Sequence, residues 1–86
     1  MSANGNLQAA APIVVYTRAH CRACDLVKQY LSSAGLTYVS RDVDVDAGAY
    51  DELVARGWRF VPMTFIGDRA IKGFDAKALH DAIAEL

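Results

Sequence analysis

Apolar residues follow two different periods along this chain, and the changes of period delimit its predicted elements. Residues 13–16 form an uninterrupted run of β-branched and aromatic residues, which is typical of a strand buried on both faces. From about Cys21 to Gly35, apolar residues recur at spacings of three and four, which predicts an amphipathic helix that ends at the glycine. Segment 37–43 then alternates and is rich in strand formers, so we expect a second strand there.

The next part of the chain predicts a short helix and a hairpin. One helical stripe of apolar residues places the helix between about 47 and 56, with Asp44 or Asp46 as its cap. Segment 61–71 contains two apolar runs separated by Gly67-Asp68. This pattern predicts two antiparallel strands joined by a tight turn.

A last helix follows Asp75, which is a suitable N-cap residue. The predicted order is therefore β-α-β-α-β-β-α. Two strands joined through a helix are expected to run parallel with a right-handed crossover, whereas a hairpin is antiparallel. We therefore predict an α/β domain over residues 12–86, in which three helices flank a four-stranded mixed sheet, and a flexible tail over residues 1–11.

The composition excludes several classes of protein. A length of 86 residues supports a single core, and no apolar run approaches the ~20 residues that a membrane-spanning helix needs. The formal net charge is −1 with the two signs interspersed, so no nucleic-acid-binding surface is expected. The start of the chain lacks the basic opening and the apolar stretch of a secretory signal. We therefore expect a cytoplasmic protein, and we take it to act as a monomer.

The two cysteines of the chain, Cys21 and Cys24, carry its candidate chemistry. A disulfide between them closes a four-residue loop, which stabilises a domain by only roughly 2 kcal/mol before strain, so a structural staple is a poor explanation. In a compartment that keeps thiols reduced, a close pair is instead catalytic or metal-binding. The pair follows a strand and opens a helix, which is the context of dithiol redox chemistry.

The position of the pair predicts different roles for the two thiols. A helix that begins at Cys21 presents unpaired N–H groups and a partial positive charge to that sulfur. This favours the anion by up to ~2 kcal/mol and moves the thiol pKa from ~8.5 to ~7, and Arg18 and Arg22 act in the same direction. Cys24 lies one turn further on the same face and stays protonated. Cys21 is therefore the predicted nucleophile and Cys24 the resolving thiol.

These roles imply an exchange in three steps. The Cys21 thiolate attacks a disulfide of the target and forms a mixed disulfide. Cys24 then attacks Cys21, so that the target leaves reduced and a disulfide between the two cysteines remains. An external reductant restores the dithiol.

Two metal-binding alternatives use the same cysteines. A zinc site needs two further ligands, but His20 is poorly aimed to share a metal with Cys21, and His80 lies on the polar side of the last helix. A [2Fe–2S] cluster held between two chains by Cys21 and external thiols is the second alternative. Redox exchange is favoured over both, so no metal and no tightly bound cofactor are expected. His20 either adds positive charge beside the thiolate or is an ordinary loop residue, and the second interpretation is favoured.

Residues just before the predicted hairpin are candidates for binding an extended substrate. Trp58 and Phe60 either line a groove or pack onto the core, and core packing is the favoured interpretation. Pro62 is either cis or a trans proline that opens an edge strand. If Pro62 lies opposite the cysteine turn, the Val61 backbone is free to pair with an extended peptide beside Cys21.

Several short motifs together resemble the glutaredoxin family over about residues 12–86. They are Tyr16-Thr17-Arg18 before Cys21-Arg22-Ala23-Cys24, Val61-Pro62 before a strand, and Gly73 with Asp75 before the last helix. The resemblance implies a thioredoxin-like fold, a cis Pro62, the cysteine roles given above, and glutathione as the reductant and cosubstrate.

The resemblance also implies a site that binds glutathione or a target peptide. Arg18 stands in place of the family's usual lysine near the glycyl carboxylate of glutathione, and Val61 pairs with its backbone. Gly73 and Asp75 face its γ-glutamyl end. The predicted substrate-binding residues are thus Arg18, Arg22, Val61, Pro62, Gly73, Phe74 and Asp75.

The sequence departs from the usual family pattern at three places. They are Arg22-Ala23 in place of Pro-Tyr, Phe60 in place of a threonine before Val-Pro, and Lys72-Gly73-Phe74-Asp75-Ala76, which keeps one glycine and one aspartate of a Gly-Gly-x-Asp-Asp pattern. Gly57-Trp58-Arg59 and Gly73-Phe74 are similar to the glutaredoxin-like redoxins that thioredoxin reductase reduces and that donate electrons to ribonucleotide reductase. Such a redoxin is the alternative function, and disulfide-containing proteins are the expected partners in both cases.

Overall fold

The computed structural model of the protein describes residues 13–86. Its elements are β1 (Ile13–Thr17), α1 (Arg22–Ser33), β2 (Val39–Asp42), α2 (Ala49–Ala55), β3 (Met63–Ile66), β4 (Arg69–Lys72) and α3 (Ala76–Ala84). This order confirms the predicted β-α-β-α-β-β-α arrangement. The predicted tail, residues 1–11, lies outside the described residues. Within residues 13–86, no helix has the length and apolar character needed to cross a membrane.

The strands form one mixed sheet in the order β2-β1-β3-β4. β1 runs parallel to β2 and antiparallel to β3, and β3 and β4 form an antiparallel hairpin, as predicted. In this register Thr17 pairs with Asp42, and Tyr16 pairs with Met63. The chain segments that leave β1 and β2 and the segment that enters β3 therefore meet at one end of the sheet. We call it the cysteine end, because Cys21 and Cys24 follow β1 there.

Strand alternation divides the core into two clusters, one on each face of the sheet. Ile13 and Val15 of β1 belong to the first cluster, with partners from α1, α3 and the hairpin that are Val27, Leu31, Ile66, Ile71, Leu79 and Ala82. Tyr16 packs with Leu53 and Met63 in the second cluster. α1 and α3 therefore cover one face and α2 covers the other, which confirms the three flanking helices.

The turn between β2 and α2 differs from the prediction. α2 begins at Ala49 after the N-cap residue Gly48, whose φ is +78, so neither Asp44 nor Asp46 caps this helix. The Asp46 carboxylate instead accepts the backbone N–H of Asp42 at 2.7 Å. Side-chain bonds to nearby backbone groups compete with helix formation, which explains the later start of α2.

Thr64 on β3 is suited to a test of stability, because its Oγ1 is buried without a hydrogen-bond partner in the described part of the chain. A hydroxyl desolvated in this way costs about 1–3 kcal/mol. Thr64→Val is therefore expected to raise the free energy of unfolding by about 1 kcal/mol, as measured by urea denaturation. The matched control is Thr37→Val, since Thr37 is exposed and its replacement should change little. A loss of stability in Thr64→Val would contradict the assigned cost.

Candidate active site

The two cysteines lie at the start of α1, at the cysteine end of the sheet. Cys21 is the N-cap residue, with extended backbone angles (φ −124, ψ 105), and Cys24 lies in the first turn. Their Cα atoms are 5.2 Å apart and their sulfurs are joined in a disulfide. Cys21 is partly exposed, whereas Cys24 is fully buried. The structure thus brings the two sulfurs together, as the one-turn spacing predicted, and presents Cys21 to solvent.

The local geometry at Cys21 favours a negatively charged sulfur. Its Sγ accepts the backbone N–H of Cys24 at 3.1 Å, and this N–H is one of those that a helix N-terminus leaves unpaired. The helix dipole adds partial positive charge at the same place, and the exposed Arg22 lines the neighbouring cleft. We therefore expect that a thiolate is favoured at Cys21 over Cys24 when the disulfide is opened.

An open cleft of about 540 Å³ lies beside Cys21, and a hollow of about 300 Å³ adjoins it. The cleft is lined by His20, Cys21, Arg22, Asp25, Leu26 and Gln29, and the hollow by Leu26, Gln29, Tyr30, Ser33 and Phe74. Because they share two residues, the two depressions form one groove along α1, which we call the α1 groove. Five of the groove residues were not predicted as site residues from the sequence: Asp25, Leu26, Gln29, Tyr30 and Ser33. The i, i+4 spacing of Cys21, Asp25 and Gln29 nevertheless indicates a common helix face.

Val61 and Pro62 stand at the cysteine end of the sheet, just before β3. The peptide bond between them is cis, which confirms the expectation from the resemblance. Pro62 is fully buried, and its carbonyl accepts the backbone N–H of Gly73 at 2.8 Å. Within residues 13–86 the backbone N–H and C=O of Val61 form no hydrogen bond. They are therefore free to pair with an extended chain.

The segment after β4 leads into α3 at the cysteine end of the sheet. Gly73 has φ +70, a conformation that favours glycine. Phe74 is 39% exposed and meets Tyr30 of the α1 groove edge to face, with ring centroids 6.4 Å apart. The Asp75 carboxylate accepts the backbone N–H of Ala78 at 3.0 Å, which confirms the predicted N-cap of α3.

The two aromatic residues before β3 have different environments. Trp58 is partly buried against the second core cluster, as the favoured interpretation predicted. For Phe60 that interpretation is wrong, because its side chain is 43% exposed. Lys72 lies over the Phe60 ring, with Nζ 4.8 Å from the centroid, and a Cβ at Gly73 would lie 3.8 Å from the ring. Phe60 therefore adds apolar surface beside Gly73.

Arg18 is held by an aspartate that sequence analysis did not select as a site residue. Its Nε and Nη2 donate to the two carboxylate oxygens of Asp44 at 3.1 and 2.8 Å. These hydrogen bonds lower the pKa of Asp44 below its ordinary value and raise the pKa of Arg18. The sequence contains an indication of this ion pair. Arg18 follows β1 and Asp44 follows β2, and neighbouring parallel strands end at the same side of a sheet.

The structure does not bring the two histidines together at the cysteines. His20 is exposed in the cleft beside Cys21, with φ +56, and His80 is exposed on α3, where its Nδ1 lies 3.6 Å from Asp81. Among the described residues, no three His, Cys, Asp or Glu side chains are grouped so that they could hold a metal ion.

Comparisons with known proteins agree with this arrangement. Residues 13–71 match the protein-family profile described as glutaredoxin. The chain is 36% identical over 62 residues to the glutaredoxin-like protein NrdH of Salmonella typhimurium, across 72% of this chain and 76% of that protein. It is 33% identical over 73 residues to glutaredoxin 3 of Escherichia coli, across 84% of this chain and 88% of that protein. The solved structure of NrdH-redoxin from Escherichia coli, described as having a thioredoxin-like activity profile, matches with a TM-score of 0.74 at 28% identity, over 81% of this chain and 92% of that chain.

A four-stranded mixed sheet with three helices, the first of which opens on a Cys-x-x-Cys pair, defines a thiol–disulfide oxidoreductase of the thioredoxin fold. The match of residues 13–71 to the glutaredoxin profile identifies the family within this class of proteins. The chain belongs to the glutaredoxin family, so the resemblance read from its motifs is confirmed.

Proposed function

We propose that this protein reduces disulfides of other proteins and mixed disulfides of glutathione, with Cys21 as the nucleophile, Cys24 as the resolving thiol and glutathione as the reductant. The observation that carries the proposal is the unequal exposure of the pair. Cys21 is partly exposed at the N-terminus of α1, and Cys24 is fully buried. An attacking sulfur must reach the substrate, whereas a resolving sulfur needs to reach only the first sulfur.

The exchange transfers two electrons to the substrate. The Cys21 thiolate attacks one sulfur of the substrate disulfide, a new S–S bond forms, and the other substrate sulfur leaves as a thiolate. Cys24 then gives up its proton and attacks Sγ of Cys21, and the second substrate sulfur leaves. The disulfide between Cys21 and Cys24 remains. Two molecules of glutathione reduce it and leave joined as glutathione disulfide.

A protein substrate fits between the α1 groove and Val61. Its chain around the disulfide pairs with the free backbone groups of Val61, as an added strand does, and the buried Pro62 fixes their position. Arg22 meets acidic groups of the substrate near the reacting sulfur. Phe74 provides an apolar contact at the far end of the groove.

Glutathione uses the same backbone contact together with three further residues. Arg18 meets its glycyl carboxylate, and Gly73 and Asp75 lie at its γ-glutamyl end. One oxygen of Asp75 is engaged in capping α3, so the second oxygen is the one available to the γ-glutamyl group. These assignments rest on the family to which the chain belongs and on the position of each residue at the cysteine end of the sheet.

A second candidate function differs in the source of electrons. In this version thioredoxin reductase restores the dithiol and ribonucleotide reductase is a substrate, as in the redoxins that Gly57-Trp58-Arg59 and Gly73-Phe74 resemble. The ion pair between Arg18 and Asp44 favours this candidate, because it engages the guanidinium group that glutathione needs. Similarity to the NrdH protein supports it as well.

A coupled turnover assay separates the two electron sources. NADPH consumption is followed with insulin as the disulfide substrate, in one arm with glutathione and glutathione reductase and in the other with thioredoxin reductase. The proposal predicts faster turnover in the glutathione arm, and Cys21→Ser serves as the blank in both arms. Faster turnover with thioredoxin reductase selects the second candidate. Absence of turnover in both arms contradicts both candidates.

A further inference from the structure

Asp44 lies outside the α1 groove, yet its carboxylate engages a cation that the proposed function uses. Nε and Nη2 of Arg18 donate to Oδ2 and Oδ1 of Asp44 at 3.1 and 2.8 Å, which is a bidentate ion pair. We propose that Asp44 is a specificity-determining residue, which withholds Arg18 from the glycyl carboxylate of glutathione. It thereby weakens the recognition of glutathione and leaves the recognition of protein substrates unchanged. The inference rests on the proposed role of Arg18 toward glutathione.

The turn after β2 holds Asp44 in position for this pairing. The backbone N–H of Asp44 donates to Oδ1 of Asp42 at 2.8 Å. The backbone N–H of Val43 donates to the carbonyl of Thr17, the residue before Arg18, at 2.9 Å. The turn is thus tied to the end of β1, and the ion pair forms with little additional ordering of the chain.

A carboxylate of free glutathione must displace one that is already attached to the protein. A partner tethered at short range acts at an effective concentration on the order of millimolar, so it competes well with a dissolved thiol. The side chains of Arg18 and Asp44 are 50% and 51% exposed, however, and exposed ion pairs are weak. Removal of the competing carboxylate is therefore expected to improve glutathione recognition by about threefold to fivefold rather than by orders of magnitude.

A protein substrate does not meet this competition. In the proposed function it contacts the backbone of Val61 and the α1 groove near Phe74, and neither contact requires the guanidinium group of Arg18. Asp44 therefore lowers the recognition of glutathione without occupying the path of a protein substrate. The difference between these two effects is the discrimination that we assign to Asp44.

The test compares two thiols that differ at the glycyl carboxylate. The oxidised protein is reduced with glutathione and, separately, with glutathione monoethyl ester, in which this carboxylate is blocked, and the ratio of the two second-order rate constants is measured. In Asp44→Asn the ratio is expected to rise about threefold to fivefold above the wild-type value. In the double variant Arg18→Gln, Asp44→Asn it is expected to return to the wild-type value, because no guanidinium group is released.

Glu85→Gln is the matched control. It removes the same charge from an exposed ion pair with Arg69, at the opposite end of the sheet, and its ratio is expected to stay at the wild-type value. An unchanged ratio in Asp44→Asn overturns the inference, as does an equal rise in Glu85→Gln, which would make net charge the cause. If neither thiol reduces the wild-type disulfide, the proposed function itself is contradicted and the inference is lost with it.

Discussion

Serine in place of Cys21 is expected to abolish both protein-disulfide reduction and the release of glutathione from a mixed disulfide, with a loss of at least about 1000-fold in rate. The serine hydroxyl is not ionised at neutral pH, so it does not replace the thiolate. The remaining thiol, Cys24, is fully buried and cannot reach the substrate. The two rates are measured with insulin and with a glutathionylated peptide.

Cys24→Ser is the matched variant, because it changes the other sulfur of the same pair. Attack of Cys21 on a glutathione mixed disulfide needs no resolving thiol when a second glutathione completes the cycle. Release of glutathione is therefore expected to persist, whereas insulin reduction falls and a mixed disulfide between Cys21 and the target accumulates. Mass spectrometry of the intact adduct detects this product. Equal loss of both activities in the two variants would refute the assigned roles.

Iodoacetamide is expected to alkylate Cys21 of the reduced protein at least about tenfold faster than Cys24 at pH 6. Two observed features act together: Cys24 is fully buried, and the Cys21 sulfur accepts a backbone N–H at the helix N-terminus, which favours the reactive thiolate. The selectivity should narrow as the pH rises, because a larger fraction of Cys24 then ionises. The rates are measured by mass spectrometry of peptides from quenched samples.

The control for this experiment is the same protein unfolded in urea. Without the helix and the core, the two thiols are chemically similar, so their rates should converge. Comparable rates in the folded protein would count against activation of Cys21 by the helix end. Unequal rates that persist in urea would show that neighbouring residues such as Arg22, rather than the fold, cause the selectivity.

The start of α1 and the start of α3 could be predicted from sequence because local chemistry determines both. The apolar period changes near Cys21, and the structure places this residue at the N-cap. Asp75 has a side chain that can bond to an unpaired backbone N–H of the helix it precedes, and it does so. The one-turn spacing of the cysteines follows from the helical period alone, so the contact between the sulfurs needed no knowledge of the remainder of the fold.

Other features depend on which strands are neighbours, and these could not be predicted in the same way. β2 begins at Val39 rather than at residue 37, because it is an edge strand whose pairing with β1 starts there. Phe60 is exposed beside Lys72, which the pairing of β3 with β4 brings close to it. The pairing of Arg18 with Asp44 requires the parallel alignment of β1 and β2. In each case a long-range register, rather than a local propensity, determines the result.

In the proposed exchange, the single helical turn between Cys21 and Cys24 also determines how long a substrate stays attached to the protein. With the two Cα atoms 5.2 Å apart, the second thiol is already beside the covalent intermediate. Release is then a unimolecular event, and well-oriented reactions of this type correspond to effective molarities of about 10⁵ M or more. The lifetime of the adduct is therefore independent of the concentration of dissolved thiol. That concentration governs only the later reduction of the disulfide between Cys21 and Cys24.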